Sequence, residues 1–527
     1  MRSASEATAL RDACQWLQTL PRGARPIDAI KRRAMPLPRD AVVPSPAAID
    51  FFDIIMYFYS PHCITFAIGM TGTNILQGKK AAYFTLGCKL NFSETSTFAR
   101  VLHGLGVETA GEGEPADICF INTCSVTDVA EHKCRQAINR AARENPRAFI
   151  VVTGCYAQLR PEAIRRLPGV DLVLGTDEKA SLLRHVTEAM ALKEEQNRVG
   201  ERAEALHEMR TSPVKDIRTF APSCSRGNRT RFFLKVQDGC DYFCSYCTIP
   251  FARGRSRNAT IASIVSQAEQ AAGEGGKEIV ITGVNIGDFG KSTGERFIDL
   301  VRALDKVEGI SRYRISSIEP DLLDDELIAF CADSRTFMPH FHIPLQSGSD
   351  TVLRLMRRRY NTELFAHKIR RIRELMPDAF IGVDVMVGFR GESQECFEEC
   401  FAFLKDMDVT QLHVFPYSER PGTAALRMPQ KVPAADKKLR SKRLLELSTE
   451  KRLSFYARHT GTEADVLFEK STRGRAMHGF TPNYIRAELP RELSSKALDN
   501  RVARVRLGGF NNDKSALTAE LLHVYPE

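Results

Sequence analysis

From Lys79 onward, short apolar runs alternate with longer amphipathic ones. Ala81–Leu86, Asp117–Asn122, Phe149–Thr153 and Val170–Leu174 read as strands. Phe92–Leu105 and Val126–Arg143 read as amphipathic helices between them, with a short helix after Pro161. This alternation predicts a doubly wound parallel sheet. Between about residues 230 and 430 the strand–helix unit recurs six times, with strand starts near Phe232, Glu278, Tyr313, His340, Phe380 and Gln411. Helices are predicted near 260–273, 297–306, 322–332, 350–376 and 394–406. Six such units predict a partial, open (β/α)6 barrel. After Gly461 the pattern turns to strands alone, at Ala464–Phe468, Tyr484–Glu488, Arg501–Leu507 and Leu517–Leu522. Arg473-Gly474, His478-Gly479 and Gly508-Gly509 read as turns between them, which predicts a small all-β barrel or open sheet. The predicted class is α/β, with domains at 79–200, 226–456 and 457–527.

Residues 1–78 do not share this pattern. Residues 1–48 are rich in Arg, Ala and Pro and lack a period. Residues 51–70 are apolar and aromatic over nearly a membrane thickness, but Asp53, Pro61 and His62 interrupt them. A membrane anchor and an Arg-rich targeting peptide compete with a start placed too early, with Met70 or a neighbour as the first residue. The last reading is preferred, so a cytoplasmic protein without stable membrane association is expected. The 527 residues suggest two to four domains, and a hydrophobic content of 43% is ample for packed cores. A net charge of +9 is compatible with nucleic acid but does not establish it. Fourteen cysteines at irregular spacing suit a reducing compartment with metal ligands better than a disulfide framework.

The most informative cysteines are Cys240, Cys244 and Cys247, directly after the strand-like run from Phe232 to Gly239. Three thiolates this close suit three irons of a cubane cluster and leave the fourth iron open. A structural zinc site wants four closed ligands, usually as paired knuckles, and no partner knuckle follows. A second set is scattered. Cys88, Cys124 and Cys155 each follow one of the first three strands. Loops at the carboxyl ends of parallel strands share one crevice, so these three can meet in space. Glycines before Cys88 and Cys155 permit close backbone approach, while three buried packing cysteines are the plain alternative. Cys119 and Cys134 read as packing residues.

The spacing of Cys240, Cys244 and Cys247 resembles the signature of the radical S-adenosylmethionine (SAM) enzymes, in which SAM takes the open iron. Polar and Gly-rich residues after the later strands then become SAM-binding candidates: Gly283, Asn285, Gly287, Ser317, Glu319, Gln346 and Ser347. Gly283 and Gly287 are read as letting a ligand approach the backbone, and Glu319 as an acceptor for ribose hydroxyls. Basic groups supply RNA candidates. Arg253, Arg255 and Arg257 line one face if extended, and Arg473, Arg475, Tyr484, Arg486, Arg504 and Arg506 mark the C-terminal strands. Arg354 with Arg357, Arg358 and Arg359 reads as a helical run on solvated surface.

The layout from about residue 79 to the end resembles the radical SAM methylthiotransferases. The resemblance implies a radical SAM barrel, an N-terminal domain with three scattered cysteines and a C-terminal TRAM domain. It implies two [4Fe-4S] clusters, one on Cys88, Cys124 and Cys155 and one on Cys240, Cys244 and Cys247, and two SAM molecules per turnover. Thr85 to Thr95 and Ile121 to Thr127 are similar to the subgroup acting on N6-threonylcarbamoyladenosine in tRNA. The isopentenyladenosine subgroup usually carries Gln-Met-Asn after its first cysteine. The resemblance further implies a 5′-deoxyadenosyl radical, hydrogen abstraction at carbon 2 of the base, and sulfur delivered from the second cluster. It implies tRNA, a flavodoxin- or ferredoxin-type electron donor and a sulfur source as partners. The alternatives are the same chemistry on isopentenyladenosine or a ribosomal-protein aspartate, and a non-catalytic Fe–S or zinc RNA-binding protein.

Overall fold

Strands that are apolar along their whole length need cover on both faces. Two strands of the first domain, Ile118–Thr123 and Phe149–Gly154, are buried at every position. They lie at the centre of a six-stranded parallel sheet. Its strands are β1 (Lys80–Thr85), β2 (Glu108–Thr109), β3 (Ile118–Thr123), β4 (Phe149–Gly154), β5 (Val170–Leu174) and β6 (Glu208–Arg210), in the order β2-β1-β3-β4-β5-β6. The computed structural model describes residues 75–199, 205–225, 230–472 and 474–525. The expectations for an anchor, a targeting peptide or a late start therefore lie outside the described residues. No helix among the described residues is long and apolar enough to cross a membrane.

Helix α1 (Lys89–His103) and helix α2 (Asp128–Glu144) fall where the periodicity places them. Thr127 caps α2 by accepting from the Ala130 N–H. The buried face of α1 is polar, with Asn91, Ser93, Glu94, Thr95 and Thr97 all inside. Ser93 donates to the Phe233 carbonyl oxygen at 3.0 Å, and Thr97 Oγ1 accepts from Cys224 N–H at 3.3 Å. The polar stripe of α1 is thus a joint to the central domain and not a solvent face.

The central strands are β7 (Ser223–Cys224), β8 (Arg231–Lys235), β9 (Gln237–Asp238), β10 (Arg257–Asn258), β11 (Glu278–Thr282), β12 (Arg312–Ile315), β13 (His340–Gln346), β14 (Phe380–Val387) and β15 (Gln411–Pro416). β8, β11 and β12 run parallel with β7 antiparallel at the edge, and β13, β14 and β15 form a second parallel sheet. Bridges at Tyr313–Phe337 and Ser317–His342 carry the first sheet into the second. The six parallel strands are the six predicted units. Along each strand one face is apolar and packs under helices, as with Leu234, Ile279, Ile343, Val383 and Leu412. The opposite face is polar and carries Arg231, Glu278, Arg314, His340, His342, Asp384 and His413.

The C-terminal strands β16 (Glu463–Phe468), β17 (Met477–Phe480), β18 (Arg486–Leu489), β19 (Val502–Phe510) and β20 (Leu517–Val524) close into a barrel. Two predicted turns are corrected here. His478-Gly479 lies inside β17, because a Cβ at Gly479 would press on Val466 and the Leu467 carbonyl of the adjacent strand. Gly508-Gly509 lies inside β19, at a register shift between Leu507 and Phe510. The barrel docks on the amino ends of the central strands. Arg312 donates to the carbonyls of Phe480 and Asp465, and Arg314 to those of Thr481 and Pro482, at 2.8 to 3.0 Å. The opposite, carboxyl edge of the strands stays free for the cysteine loops.

Candidate active site

Cys88, Cys124 and Cys155 follow β1, β3 and β4, three strands adjacent in the sheet. Two glycines make their approach sterically feasible. Gly87 has φ 98°, and a Cβ there would lie 2.6 Å from Cys124 Cβ and 2.8 Å from its sulfur. Gly154 has φ 102°, and a Cβ there would strike the Thr123 backbone. Gly154→Ala is therefore expected to displace Cys155, and reconstituted protein should hold about half the wild-type iron with the other cysteine set still loaded. Iron content per chain measures this. Burial raises the Cys124 thiol to about 12, with Cys155 and Cys88 adding to the effect. Cys134, read as a packing residue, also clamps the loop: its sulfur accepts from Cys124 N–H at 3.3 Å. Asn91 donates to the Leu86 and Thr123 carbonyls at 2.8 and 2.9 Å, tying the first two cysteine loops together.

A buried charge network supports the third cysteine. Arg253 at the end of α3 (Ile249–Arg253) donates to Cys155 Sγ at 3.3 Å, Asn91 Oδ1 at 2.7 Å, Glu94 at 3.1 Å and Asp238 at 3.0 Å. Lys179 and Lys235 also pair with Glu94, and Lys235 and Arg257 with Asp238. Four cations thus enclose two carboxylates, all of them buried. The surplus positive charge beside Cys155 suits thiolates bound to a cluster. The expectation that Arg253 and Arg257 face RNA is corrected: they are 1% and 5% exposed and committed to this network.

Cys240, Cys244 and Cys247 sit on the loop between β9 and α3. Gly239, with φ 73°, lets this loop pass against the Arg255 carbonyl, and Cys240 N–H donates to Gly254 O at 3.0 Å. Ile249 N–H donates to Cys247 Sγ at 3.4 Å. Burial raises the Cys240 thiol to about 12, and Cys244 further opposes its ionisation. Arg358 donates to Cys244 Sγ at 3.1 Å and to Tyr360 OH at 3.0 Å, and forms a close ion pair with Glu319. Arg358 is not on a solvated helix. The predicted helix breaks after Leu355 and resumes at Thr362, and Arg357 in the break has φ 59°. Burial raises Glu319 to about 7, with Arg358 working against it. One oxygen of its carboxylate is engaged by Arg358.

The remaining candidates gather on the same edge. Gln237 accepts from the N–H groups of Val284 and Asn285 at 3.0 and 2.8 Å and donates to Gly239 O at 2.8 Å, which staples the second loop to the cysteine loop. A Cβ at Gly283 would press on Ile286 and Gln237, and one at Gly287 on Leu322, so local packing already requires glycine at both positions. Asn285 is 2% exposed with neither side-chain polar atom partnered, and Gln346 Oε1 is also buried without a partner. Gln346 has φ 69° at a register shift in β13. Ser317 Oγ meets His342 Nδ1 at 3.0 Å, and His342 Nε2 meets Asp384 at 2.8 Å. Ser347 Oγ accepts from Ser349 N–H. Orphaned polar groups beside three thiols fit a polar cofactor such as SAM. Among the described residues, no three His, Cys, Asp or Glu side chains close around a single metal ion. A cubane takes each thiolate at a different corner and needs a wider spacing.

Of the other RNA candidates, Arg255 is exposed, its guanidinium 5.1 Å from the Phe243 ring centroid. Arg475 is exposed, and Arg473 lies outside the described residues. Tyr484 is corrected: it stacks on Phe480 at 4.7 Å, meets His340 at 4.5 Å and accepts from Arg231, so it belongs to the docking joint. Arg486 lines a cleft of about 240 Å³ with Arg452, Tyr456 and Phe480. Arg504 and Arg506 pair with Glu463.

Cysteines at the carboxyl ends of parallel strands, with orphaned polar groups on the same edge, fit an enzyme class that binds an iron–sulfur cluster and SAM. Comparison with known proteins agrees. Residues 80–175 match the uncharacterized protein family UPF0004, and residues 234–404 match the radical SAM superfamily. The chain is 38% identical over 411 residues to the threonylcarbamoyladenosine tRNA methylthiotransferase MtaB of Bacillus subtilis, covering 77% of this chain and 89% of that protein. It is 38% identical over 406 residues to the protein of the same name from Aquifex aeolicus, covering 77% and 95%. It is 33% identical to a tRNA-2-methylthio-N(6)-dimethylallyladenosine synthase of Thermobifida fusca, covering 79% and 81%. The chain belongs to the radical SAM methylthiotransferase family, whose members use a [4Fe-4S] cluster and SAM.

Proposed function

We propose that this protein adds a methylthio group to carbon 2 of N6-threonylcarbamoyladenosine beside the anticodon of tRNA. The observation that carries this reading is the 38% identity, over most of both chains, to relatives named for that reaction. Bound clusters and SAM supply one-electron chemistry that reaches an aromatic C–H with no acidic proton. Cys240, Cys244 and Cys247 hold the cluster that takes SAM, and Cys88, Cys124 and Cys155 hold a second one for sulfur. Arg358 and Arg253 each direct a guanidinium at one thiolate of a trio, Cys244 and Cys155 respectively. Asn285 and Gln346 offer their unpartnered groups to SAM, and Gln237 fixes the loop that presents Asn285.

The three segments divide the work. Residues 79–200 hold the sulfur site, 226–456 the SAM site, and 457–527 form a TRAM-like domain that contacts tRNA with Arg475 and Arg486. Arg255 extends that contact near the cysteine loop. A flavodoxin- or ferredoxin-type protein supplies electrons, and a separate sulfur source reloads the second cluster. Nucleoside analysis of tRNA with and without the gene tests the reading. The 2-methylthio-threonylcarbamoyl nucleoside should vanish and its unthiolated precursor accumulate. An unchanged level, with loss of the methylthio-isopentenyl nucleoside instead, would assign the chain to the reaction named for the Thermobifida fusca relative.

A further inference from the structure

The C-terminal barrel meets the central domain around a cleft of about 240 Å³ at the end of the strands away from the cysteine loops. Phe380 and Gln411 begin β14 and β15, Arg452 and Tyr456 stand on helix α4 (Ala434–Ala457), and Phe480 and Arg486 come from β17 and β18. Two features meet there. The first is uncommitted positive charge. Arg452 donates to the Lys514 carbonyl at 3.0 Å and Arg486 to Ser515 Oγ at 3.4 Å. Among the described residues neither guanidinium has a carboxylate within 4 Å. Asp513, the acid on the adjoining turn, accepts instead from the Ser515 N–H at 2.9 Å. The other arginines of this joint are committed, Arg231 to Glu469 and Arg314 to Glu278. A guanidinium carries five N–H donors, so Arg452 and Arg486 each keep several for a ligand.

The second feature is an aromatic wall. Phe480 stacks on Tyr484 with ring centroids 4.7 Å apart, and Phe380 meets Tyr484 edge-on at 5.5 Å. The Arg452 guanidinium lies 5.5 Å from the Tyr456 ring centroid, and Tyr456 OH accepts from Arg486 N–H at 3.1 Å. Forked guanidinium donors bind phosphate, and aromatic and guanidinium planes take an unstacked base. A bare anion would use the arginines and leave the rings uncovered. A nucleotide uses both.

The position of the cleft points to the source of that nucleotide. Side chains alternate along a strand, so Phe380 and Asp384 share one face of β14, and Gln411 and His413 one face of β15. The cleft is therefore the amino end of the polar face whose carboxyl end meets the cysteine loops. From Phe380 to Asp384 the strand rises about 13 Å, a gap that a short run of single strand bridges. An RNA whose target base lies at the carboxyl edge can thus reach the cleft with a nearby nucleotide. We propose that this cleft is a second RNA subsite, which takes one unstacked nucleotide flanking the target, with its phosphate on Arg452 and Arg486 and its base against the aromatic wall. This inference rests on the tRNA substrate of the reading above and adds a subsite to it. The contact does not involve the N6 substituent of the target base, so it serves modified and unmodified loops alike.

The test uses reconstituted full-length protein and three labelled RNAs. They are an anticodon stem–loop with N6-threonylcarbamoyladenosine, the same stem–loop with unmodified adenosine, and the fully paired duplex of its stem. Fluorescence anisotropy gives each Kd. The double variant Arg452→Gln/Arg486→Gln should bind both stem–loops about 10- to 100-fold more weakly than wild type, the span of a lost charge-assisted contact. The factor should be the same for the two stem–loops and much smaller for the duplex. The slope of log Kd against log salt on the stem–loops should fall by about 1.4, the share of two single-strand phosphate contacts. Ser515→Trp fills the cleft without changing its charge and should weaken the stem–loops as well. Iron content and thermal midpoint at wild-type values identify the folded variants. Wild-type affinity for the stem–loops in either folded variant overturns the inference and leaves the substrate reading standing. An equal loss on stem–loops and duplex also overturns it, because the duplex offers no unstacked base. A wild type that binds neither stem–loop overturns the inference and the tRNA reading together.

Discussion

Cys155→Ala is expected to separate two activities that the wild type couples. The variant should keep reductive cleavage of SAM to 5′-deoxyadenosine and lose methylthio transfer to background. Cys244→Ala should lose both. The two cysteines sit in different loops on different sheets, so removing one leaves the geometry of the other trio intact. Each variant should reconstitute with about half the iron of wild type. Chromatography of 5′-deoxyadenosine and of digested tRNA from the same reaction reads both activities. Continued methylthiolation by Cys155→Ala would remove Cys88, Cys124 and Cys155 from the chemistry and return them to packing. The two variants also differ in what they leave behind. Loss of the Cys155 sulfur deprives Arg253 of an acceptor in a network already rich in cations. Loss of the Cys244 sulfur leaves Arg358 paired with Glu319.

Features set by local pattern were legible in the sequence. β4 and β5 begin at the predicted residues, and all six central strands begin within one residue of them. Apolar runs bounded by Gly and polar residues leave little choice of state. The placement of Cys88, Cys124 and Cys155 at the ends of adjacent strands was legible for a related reason: the ends of parallel strands bring distant loops together by topology alone. Side-chain partnership was not legible. Arg253 looked like one of three basic residues in a row, yet its partners Cys155 and Glu94 lie 98 and 159 residues away. Arg358 looked like surface, and its partner Cys244 is 114 residues away. Charge repetition was read as an RNA-facing row for Arg253 and as solvated surface for Arg358, and only the packed domains reveal the buried acceptors. β17 was missed because Gly479, a turn signal in isolation, is required where the barrel wall closes on Val466.

The second large effect falls on stability. Glu94→Gln is expected to cost about 3–5 kcal/mol, because it leaves buried cations without their counter-charge. Lys179 and Lys235 lie 2.5 and 3.0 Å from this carboxylate, and Arg253 lies 3.1 Å away. Glu144→Gln breaks the exposed pair with Arg140 and should cost at most about 1 kcal/mol. Urea titration of the two variants under one buffer compares them. The pH dependence follows from the same charges. Burial works to raise Glu94 and Asp238, but Lys179, Arg253, Lys235 and Arg257 hold both well below the ordinary carboxylate range. A carboxyl lowered on folding stabilises above its unfolded pKa, and that stability is lost as pH falls through the folded value. Wild type should therefore weaken below about pH 4, and Glu94→Gln should show a shallower decline over the same interval. Equal slopes would mean that the network does not govern acid unfolding. Glu94 stands on α1, while Lys235, Asp238 and Arg253 stand on β8, β9 and α3, so the network fastens one cysteine-bearing domain to the other. A variant that weakens it should loosen the register between the two trios before either domain unfolds, and methylthio transfer should decline at lower urea than SAM cleavage.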